Sequence, residues 1–567
     1  MSDHPGHGDQ HADDEAQRAQ RRDAIRSLAW DAAGDPPHIL SSTVTSPPSQ
    51  TPARRNARRV ALVVLLVLIV VVVATGTFAF IRNFPSFDLT AQRTAGPSAT
   101  GVPLCARQSL ASATIGATGQ TSATAANIRV SDDAYRAHSE PMLAINPANP
   151  LNLLGGSKFF TDPAHYRFQI GTYVSFDGGC SWQDNGVLPG FAPSELTSDV
   201  SMAFGPNNRA YVAVLYTNNA RDSGIAVLTS TDGGKTFGQP VRVYDDASGA
   251  VFSDKPWLTV DMTNSPTRGS IYVVWSYDYG GSCGYDNACK QGLGFVRSTD
   301  GGTSFSAMRQ IEGQAPFCTN PAKGRAPDSR LCDAILGAIP AVLPDGTLAV
   351  GFDYFDLMST GTIPTRLALI TSHDGGVSWS PPVSIATASD ILGTFPPDHY
   401  RNFSLPAFAA GPTQGTLYIA WSDKTFGDAD ILFTSSRDGG VTWSKPLRVN
   451  DDARHNGANQ FQPQLAVAPN GVVTVSFFDT RNDSHHHLID VYLAQSTDGG
   501  ATFRQNVRVT SQSWDPSVDA PVDGGGLQFI GDYQGLAVDN TFAYPFWNDT
   551  RTGSQEIFTA PVPSAQP

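Results

Sequence analysis

The sequence predicts an all-β domain of repeated four-stranded sheets, preceded by a single transmembrane helix. Three observations lead to this prediction: a composition poor in helix formers, one turn motif that recurs six times, and one long uncharged run. Only 16% of the 567 residues are charged, against ~25% in average globular proteins. The acidic residues are five Glu and 47 Asp, and only seven of the 38 basic residues are Lys. Because Glu and Lys favour helices while Asp and Gly favour turns, mostly-α and α/β folds are disfavoured.

The charge distribution excludes one class of partner. The net charge is −14, and residues 1–59 carry eight basic and eight acidic side chains, so the whole excess lies beyond Arg59. An acidic domain repels the phosphate backbone, so we expect no nucleic-acid partner.

A run of 22 residues from Val60 to Ile81 contains no charged side chain. A helix needs ~20 such residues to cross the hydrocarbon core of a bilayer. A cleaved signal peptide and a buried core strand are the alternatives, but a signal peptide has a shorter apolar stretch nearer the N-terminus. Four arginines lie just before the run on its N-terminal side, at positions 54, 55, 58 and 59. The positive-inside rule therefore places the N-terminus in the cytoplasm and everything after Ile81 outside the cell.

Composition divides the rest of the chain. Residues 1–59 are polar, with Pro and Ser clusters, and are expected to form a disordered cytoplasmic tail. Residues 82–125 are rich in Ala, Thr, Ser and Gly and are expected to form a flexible stalk. Residues 126–567 contain the repeats and are expected to form the folded domain.

All six cysteines follow the apolar run, and an even number in an oxidising compartment indicates disulfides. Two pairs enclose short loops and a third pair remains: Cys283 with Cys289, Cys318 with Cys332, and Cys105 with Cys180. Metal binding is the alternative, although no C-x-x-C spacing occurs.

The turn motif has the form S-x-D-G-G-x-x-[WF]. Its Asp can accept backbone N–H bonds across a hairpin turn, its two Gly permit positive φ, and its aromatic can tuck between sheets. One copy is plausible by chance, but six in register are not. The six aspartates are Asp177, Asp232, Asp300, Asp374, Asp438 and Asp498.

Each motif lies inside a larger unit of four strands, A to D, which is clearest for the sixth copy. There we predict strand A and a turn at 464–471, strand B at 472–478, strand C at 490–495 and strand D at 506–509. Seven openings of strand A can be counted, and the seventh unit ends without a motif or a strand D. The segment Asn127–Val130 is similar to the strand D segments, so we expect it to close a seven-bladed β-propeller as the outer strand of the last blade. Six blades are the alternative.

The octapeptide is the Asp-box, and residues 126–560 resemble the sialidase-like superfamily of Asp-box (BNR repeat) β-propellers. Asp-boxes in that superfamily lie at outer turns, away from the central site, so the resemblance bears on fold more than on activity. Sialidases of the superfamily have six blades. The resemblance implies an exo-glycosidase that cleaves terminal sialic acid or a related acidic sugar. The alternative is a non-catalytic propeller that binds a glycan or a protein.

Ligands of propellers usually bind on the top face, at the D–A and B–C loops. The openings of strand A give a ring of top-face positions: Glu140, Asp199, Asp254 with Lys255, Ser404, Gln462, and Asp532 with Tyr533. Five strands B end in an Asp, for which we expect turn capping or bridging to an Arg. These residues are Asp278, Asp353, Asp423, Asp479 and Asp549.

The resemblance implies a nucleophilic Tyr533 made basic by Glu140, with Asp254 or Asp199 as the acid/base. A Tyr suits this substrate because the sugar's own carboxylate would repel a carboxylate nucleophile. The alternative is that Tyr533 packs in the channel and Glu140 caps a turn.

The resemblance also implies an arginine clamp for the substrate carboxylate, because a guanidinium matches that group bidentately. The candidates are Arg401, Arg481 and Arg551, although each could instead bridge a local Asp. The family's Arg-Ile-Pro motif near the first blade is absent.

The remaining motifs do not indicate a metal. Consecutive side chains at 485–487, all His, do not converge on one point and are expected in a solvated loop. Acidic pairs such as Asp451–Asp452 could bind calcium, but 47 Asp make such pairs common. We expect no metal and no cofactor. The expected partners of this monomer are a glycan or small-molecule substrate and, through one helix, a lipid bilayer.

Overall fold

The computed structural model describes Cys105 and residues 126–218, 222–246, 251–279, 290–318, 330–354, 365–389, 391–395, 397–523 and 526–567. The predicted tail at 1–59, the predicted transmembrane helix at 60–81 and the predicted stalk at 82–125, except Cys105, lie outside the described residues. No helix within the described part of the chain is long and apolar enough to cross a membrane.

The described domain is all-β, apart from two short 3₁₀ segments at Pro163–His165 and Pro206–Asn208. In chain order its strands are β1 (Ile128–Arg129), β2 (Arg136–Ile145), β3 (Leu153–Asp162), β4 (Arg167–Ser175), β5 (Gln183–Val187), β6 (Leu196–Phe204), β7 (Ala210–Asn218), β8 (Asp222–Ser230), β9 (Val241–Asp245), β10 (Phe252–Val260), β11 (Ile271–Tyr279), β12 (Lys290–Ser298), β13 (Arg309–Gln310), β14 (Ile335–Val342), β15 (Leu348–Tyr354), β16 (Thr365–Ser372), β17 (Val383–Ala388), β18 (Leu392–Gly393), β19 (Asn402–Phe403), β20 (Ala407–Ala410), β21 (Leu417–Asp423), β22 (Asp430–Ser436), β23 (Leu447–Arg448), β24 (Gln460–Val467), β25 (Val473–Asp479), β26 (Asp490–Ser496), β27 (Val507–Arg508), β28 (Gly535–Val538), β29 (Phe542–Asp549), β30 (Glu556–Thr559) and β31 (Val562–Pro563).

These strands form seven antiparallel sheets arranged as the blades of a propeller. Blades one to four are β2–β5, β6–β9, β10–β13 and β14–β17, and blades five and six are β20–β23 and β24–β27. Blade seven consists of β28, β29 and β30 with β1 on its outer edge, and β31 also pairs with β29. Strands β18 and β19 pair with each other in the connection between blades four and five. The prediction of seven blades is confirmed.

The ring closes through the segment that the sequence predicted. Ile128 and Arg129 pair with Thr559 and Phe558 of β30, and the N–H of Val130 donates to the carbonyl of Ile557 at 2.7 Å. The first strand of the domain therefore completes its last blade, which leaves no long unpaired edge on that sheet.

The core lies between neighbouring blades, because each middle strand is buried on both faces. In β7, Val212 and Val214 pack towards blade one, while Tyr211, Ala213 and Leu215 pack towards blade three. This is the two-residue period of a strand, with an apolar neighbour on either side.

The Asp-boxes have the hairpin geometry that was predicted. In every copy the Ser hydroxyl donates to the Asp and accepts from the N–H of the second Gly, as Ser436 does with Asp438 at 2.8 Å and with Gly440 at 2.9 Å. Both Gly have positive φ in all six boxes. The second Gly also packs on the preceding blade: a Cβ at Gly440 would lie 2.0 Å from Leu369 Cδ2. The box therefore requires Gly for conformation and for close approach.

Two of the three predicted disulfides are confirmed. Cys105 is bonded to Cys180, and Cys318 to Cys332. The predicted pair at positions 283 and 289 lies outside the described residues.

Candidate functional site

A backbone irregularity recurs at the top of the innermost strands. Strand A of blades one, two, three, four and six shifts register against strand B near its upper end. The residue at the shift has positive φ in each case: 52° at Glu140, 52° at Asp199, 48° at Lys255, 63° at Gly337 and 47° at Gln462. Positive φ is uncommon for residues other than Gly and clusters at functional sites. These bulges re-aim four polar side chains at the channel.

Two small cavities lie at this level, and the re-aimed side chains line them. The first is lined by Glu140, Asp199, Asp254 and Asp532, together with Lys158 and several apolar side chains. Its volume is about 20 Å³, which is room for about one water molecule. The sequence-predicted residues Glu140, Asp199 and Asp254 thus meet in one cavity, from blades one, two and three.

The pKa values of three carboxyl groups that line this cavity are raised. Burial raises the pKa of Glu140 to about 8, and the charges of Asp199 and Asp532 add to this against the opposing charge of Lys158. Burial likewise raises the pKa of Asp199 to about 6, with Asp254 adding to the shift and Lys255 opposing it. Although part of Asp254 remains exposed, the burial of its carboxyl group raises the pKa of that group to about 7. Such close groups titrate as a coupled set.

Lys158 is a site residue that the sequence analysis missed. It lies on β3 opposite Ser139, and its ammonium nitrogen is 3.7 Å from Oε2 of Glu140. It also lies 4.3 Å and 4.2 Å from the ring centres of Phe168 and Phe529. These cation–π contacts and the carboxyl group allow a Lys side chain that is 1% exposed to remain inside the protein.

The second cavity contains Tyr533. Lys255 Nζ lies 3.8 Å from the centre of the Tyr533 ring and 3.7 Å from Asp199 Oδ1. Within the part of the chain that the structure describes, the Tyr533 hydroxyl has no hydrogen-bond partner, so it is not bonded to Glu140. Burial, and then the charge of Glu140, raise the pKa of Tyr533 well above its ordinary value. The two residues share a neighbourhood but not a proton-transfer contact.

Arg401 reaches the same level of the channel but is engaged by acidic groups. Its guanidinium donates to both carboxylate oxygens of Asp532, at 3.1 Å from Nε and 2.8 Å from Nη2. Nη1 lies 3.5 Å from Asp523, and the guanidinium stacks 4.5 Å from the ring centre of Phe529. The side chain of Arg401 is 1% exposed, and it links the connection before β20 to the connection before β28, which contains Asp523 and Asp532.

Arg481 and Arg551 line neither cavity. Arg481 donates from Nε to Asp479 at 2.7 Å, and Arg551 from Nε to Asp549 at 3.0 Å. Each arginine therefore bridges the Asp at the end of its own strand B. The three predicted clamp arginines do not converge in this structure.

The His run is not simply solvated. His487 lies between two aspartates from separate loops, with Nδ1 2.6 Å from Asp398 and Nε2 3.0 Å from Asp515. Its own loop is capped by Asp483, which accepts from the N–H groups of His487 and Leu488. Among the described residues, no three His, Cys, Asp or Glu side chains are placed to hold a metal ion.

Comparisons with known proteins agree on the class of fold. Residues 334–528 match the BNR repeat-like domain family. The prediction of an Asp-box (BNR) β-propeller is thereby confirmed. No curated protein matches the chain.

Solved structures are similar at low identity. A protein of unknown function from Dyadobacter fermentans is 16% identical, over 67% of this chain and 98% of its own, with a TM-score of 0.43. A Hadza microbial sialidase is 16% identical, over 72% and 76%, with a TM-score of 0.41. An α-L-arabinanase of Penicillium chrysogenum is 14% identical, over 66% and 95%, with a TM-score of 0.39. These values carry no argument about activity.

Proposed function

We propose that the propeller is a glycoside hydrolase whose chemistry is carried out by carboxyl groups at the top of the central channel. One observation carries this proposal: Glu140 and Asp199 line one buried cavity, and their pKa values are about 8 and about 6. Glycoside hydrolysis needs one carboxyl group that is protonated at neutral pH and a second that is ionised. The structural environment separates the two pKa values in that sense, because the pKa of Glu140 is raised further than that of Asp199.

The pKa values assign the roles. Glu140 is the general acid, which gives its proton to the leaving oxygen as the glycosidic C–O bond breaks. Asp199 is the ionised partner, which attacks the anomeric carbon or takes a proton from the attacking water. The ammonium group of Lys158, 3.7 Å from Glu140, stabilises the carboxylate that forms when Glu140 loses its proton.

The surrounding charges favour a neutral sugar over an acidic one. Three further side chains of the channel, Asp199, Asp254 and Asp532, would repel a substrate carboxylate. The narrower sialidase form of the proposal remains a prediction. In it Tyr533 attacks after Glu140 withdraws its proton, Asp254 or Asp199 protonates the leaving oxygen, and Arg401, Arg481 and Arg551 hold the carboxylate. That form requires Arg401 to leave Asp532 when substrate binds.

The test uses the full chain with a panel of 4-methylumbelliferyl glycosides, neutral and sialic. We expect hydrolysis of a neutral glycoside, with a bell-shaped pH profile whose limbs lie near 6 and 8. Glu140→Gln should lower kcat by ~10²–10⁴-fold, the contribution of a general acid. The control is Glu312→Gln, a buried Glu that does not line the cavity and should keep full activity. An equal loss of kcat in both variants would contradict the role of Glu140. NMR of the released sugar shows whether its anomeric configuration is retained or inverted, which decides between Asp199 as nucleophile and Asp199 as base.

A second candidate function is a propeller that binds glycans without cleaving them. The size of the cavity favours it, because about 20 Å³ does not admit a sugar ring without side-chain movement. An inert chain that is nevertheless retained on a glycan array would support this candidate.

We also propose that the propeller is extracellular and is anchored by residues 60–81. The two disulfides support an oxidising compartment.

A further inference from the structure

The second cavity lies on the other side of Asp532, which lines both cavities. Its volume is about 20 Å³. Side chains of Lys255, Gln462 and Tyr533 line it together with Trp257. None of these groups has a task in the chemistry proposed for Glu140 and Asp199.

Three polar atoms around this cavity have no hydrogen-bond partner among the described residues: Lys255 Nζ, Tyr533 Oη and Gln462 Oε1. Their residues are 5%, 6% and 2% exposed. The amide nitrogen of Gln462 is satisfied, since it donates to the carbonyl of Gly531 at 2.7 Å. Buried polar groups in native proteins are nearly always hydrogen-bonded, and three that converge on one cavity can bond a polar group that enters it.

The atoms specify the chemistry of that ligand. Lys255 Nζ and Tyr533 Oη donate, whereas Gln462 Oε1 accepts. An anionic group could accept from Lys255 and Tyr533, but it could not donate to Gln462 and would face Asp199 and Asp532. A hydroxyl group both accepts and donates, and it carries no charge. Trp257, whose ring centre lies 6.3 Å from that of Tyr533, adds an apolar surface of the kind that packs against a sugar.

We propose that the second cavity is a specificity pocket that receives the exocyclic hydroxymethyl group of a neutral pyranose. The anomeric carbon of that sugar lies beside Glu140 at the first cavity, where side chains must move to admit the ring. The inference rests on the proposed function and deepens it by naming the substrate class. The volume matches the hydroxyl end of that group, because a cavity of about 20 Å³ holds about one water-sized group.

The experiment measures sugar binding, which is independent of hydrolysis. Two pairs of free sugars differ only in the hydroxymethyl group: D-glucose with D-xylose, and D-galactose with L-arabinose. We titrate each into the full chain by calorimetry. In at least one pair, the hydroxymethyl sugar should bind about 10-fold more tightly, as expected for a hydrogen bond to a charged group. Equal binding within both pairs, or no binding of any sugar, overturns the proposal.

Two variants of the pocket and one matched control locate the effect. Tyr533→Phe and Lys255→Met should reduce the ratio within the responding pair to less than about 2-fold, because each removes one donor. Tyr400→Phe is the control, since Tyr400 also has a buried hydroxyl without a partner but lines neither cavity. It should keep the full ratio. Both Tyr variants should melt at the wild-type temperature, because neither hydroxyl is bonded in the free protein.

The outcomes separate this inference from the proposed function. If the chain hydrolyses no glycoside but shows the Tyr533-dependent binding ratio, the specificity pocket is supported and the proposed hydrolase function is wrong. A Tyr533→Phe variant that loses turnover while keeping the binding ratio makes Tyr533 a nucleophile and overturns its role in the pocket.

Discussion

Ser131→Ala tests how the two ends of the propeller are joined. Ser131 follows β1 and is completely buried. Its hydroxyl accepts from the N–H of Ile557 at 2.8 Å and donates to Oε2 of Glu556 at 2.5 Å. The other oxygen of Glu556 accepts from Arg129 at 3.0 Å. One hydroxyl therefore bridges the first strand of the domain to both the backbone and a carboxylate of the last blade.

The cost of the substitution follows from these contacts. Removing the hydroxyl leaves the N–H of Ile557 and one oxygen of Glu556 without that partner. A buried group left unsatisfied costs about 1–3 kcal/mol, and more if it is charged, so we expect about 3 kcal/mol in total. That free energy corresponds to an about 100-fold larger population of the state in which β1 has detached from β30.

Thermal melting is a poor assay for this change. A domain of ~440 residues has an unfolding entropy near ~0.9 kcal/mol/K, so 3 kcal/mol lowers Tm by only about 3 °C. Hydrogen exchange of the β1 and β30 amides measures the local opening directly, and those amides should exchange about 100-fold faster. Deleting residues 126–133, which removes the strand altogether, should in contrast lower Tm by well over 3 °C.

Ser476→Ala is the matched control. Ser476 is also completely buried, but its hydroxyl has no hydrogen-bond partner. Its loss should leave exchange in blade six unchanged. If the β1 amides of Ser131→Ala exchange as slowly as those of the wild type, the hydroxyl does not hold the ring closed.

Three further predictions concern pH and topology. Burial lowers the pKa of His487, but its hydrogen bonds to Asp398 and Asp515 outweigh burial and raise the pKa. The ion pairs of His487 with these two aspartates therefore stabilise the fold below pH ~6.5, and their contribution is lost as the pH rises through the raised pKa. We expect His487→Gln to lower Tm at pH 5.5 and not at pH 9. Hydrogen bonds led by that of the Thr442 hydroxyl hold the pKa of Asp438 at about 2, so its contribution is present above pH ~4 and is lost as the pH falls towards 2. Asp438→Asn should make that acid limb of the melting curve shallower without removing it, because the other five boxes keep their Asp; an unchanged limb would contradict the assignment. Protease applied to intact cells should release the propeller and leave a small stub, whereas a protected propeller would contradict the predicted transmembrane orientation.

The fold was predictable because the same turn motif recurs six times along the sequence. Six copies of one turn fix the register of six blades, and the seventh blade follows from its strands A to C. The closing strand was found because Asn127–Val130 is similar to a strand D that has no unit of its own. The same register predicted that Glu140, Asp199 and Asp254 lie at equivalent heights, and the structure brings them into one cavity.

The interactions that the sequence analysis missed join residues far apart in the chain. Arg401 and Asp532 are 131 positions apart, and nothing in either segment marks the other as its partner. Lys158 left a weak trace: a rare Lys within the apolar strand β3 of a chain that has only seven. Its partner Phe529 comes from the loop before blade seven, and that contact required the closed ring. The bulges were also missed, because only Gly signals positive φ in a sequence.

The junction between blades one and seven, which we call the seam, closes the ring and also carries the candidate catalytic residues. Glu140 comes from blade one and Asp532 from the loop that leads into blade seven, so the first cavity exists only when the ring is closed. The seam is tight there: Gly531 has a φ of 88°, and a Cβ on it would lie 2.8 Å from the N–H nitrogen of Glu140. An acid that is misplaced by about 1 Å loses much of its effect on the reaction. Deleting residues 126–133, which removes the closing strand from every molecule, should therefore lower kcat/KM together with Tm. A deletion variant that keeps its kcat/KM would place the reacting group away from the junction of blades one and seven and would contradict the role of Glu140 as the acid.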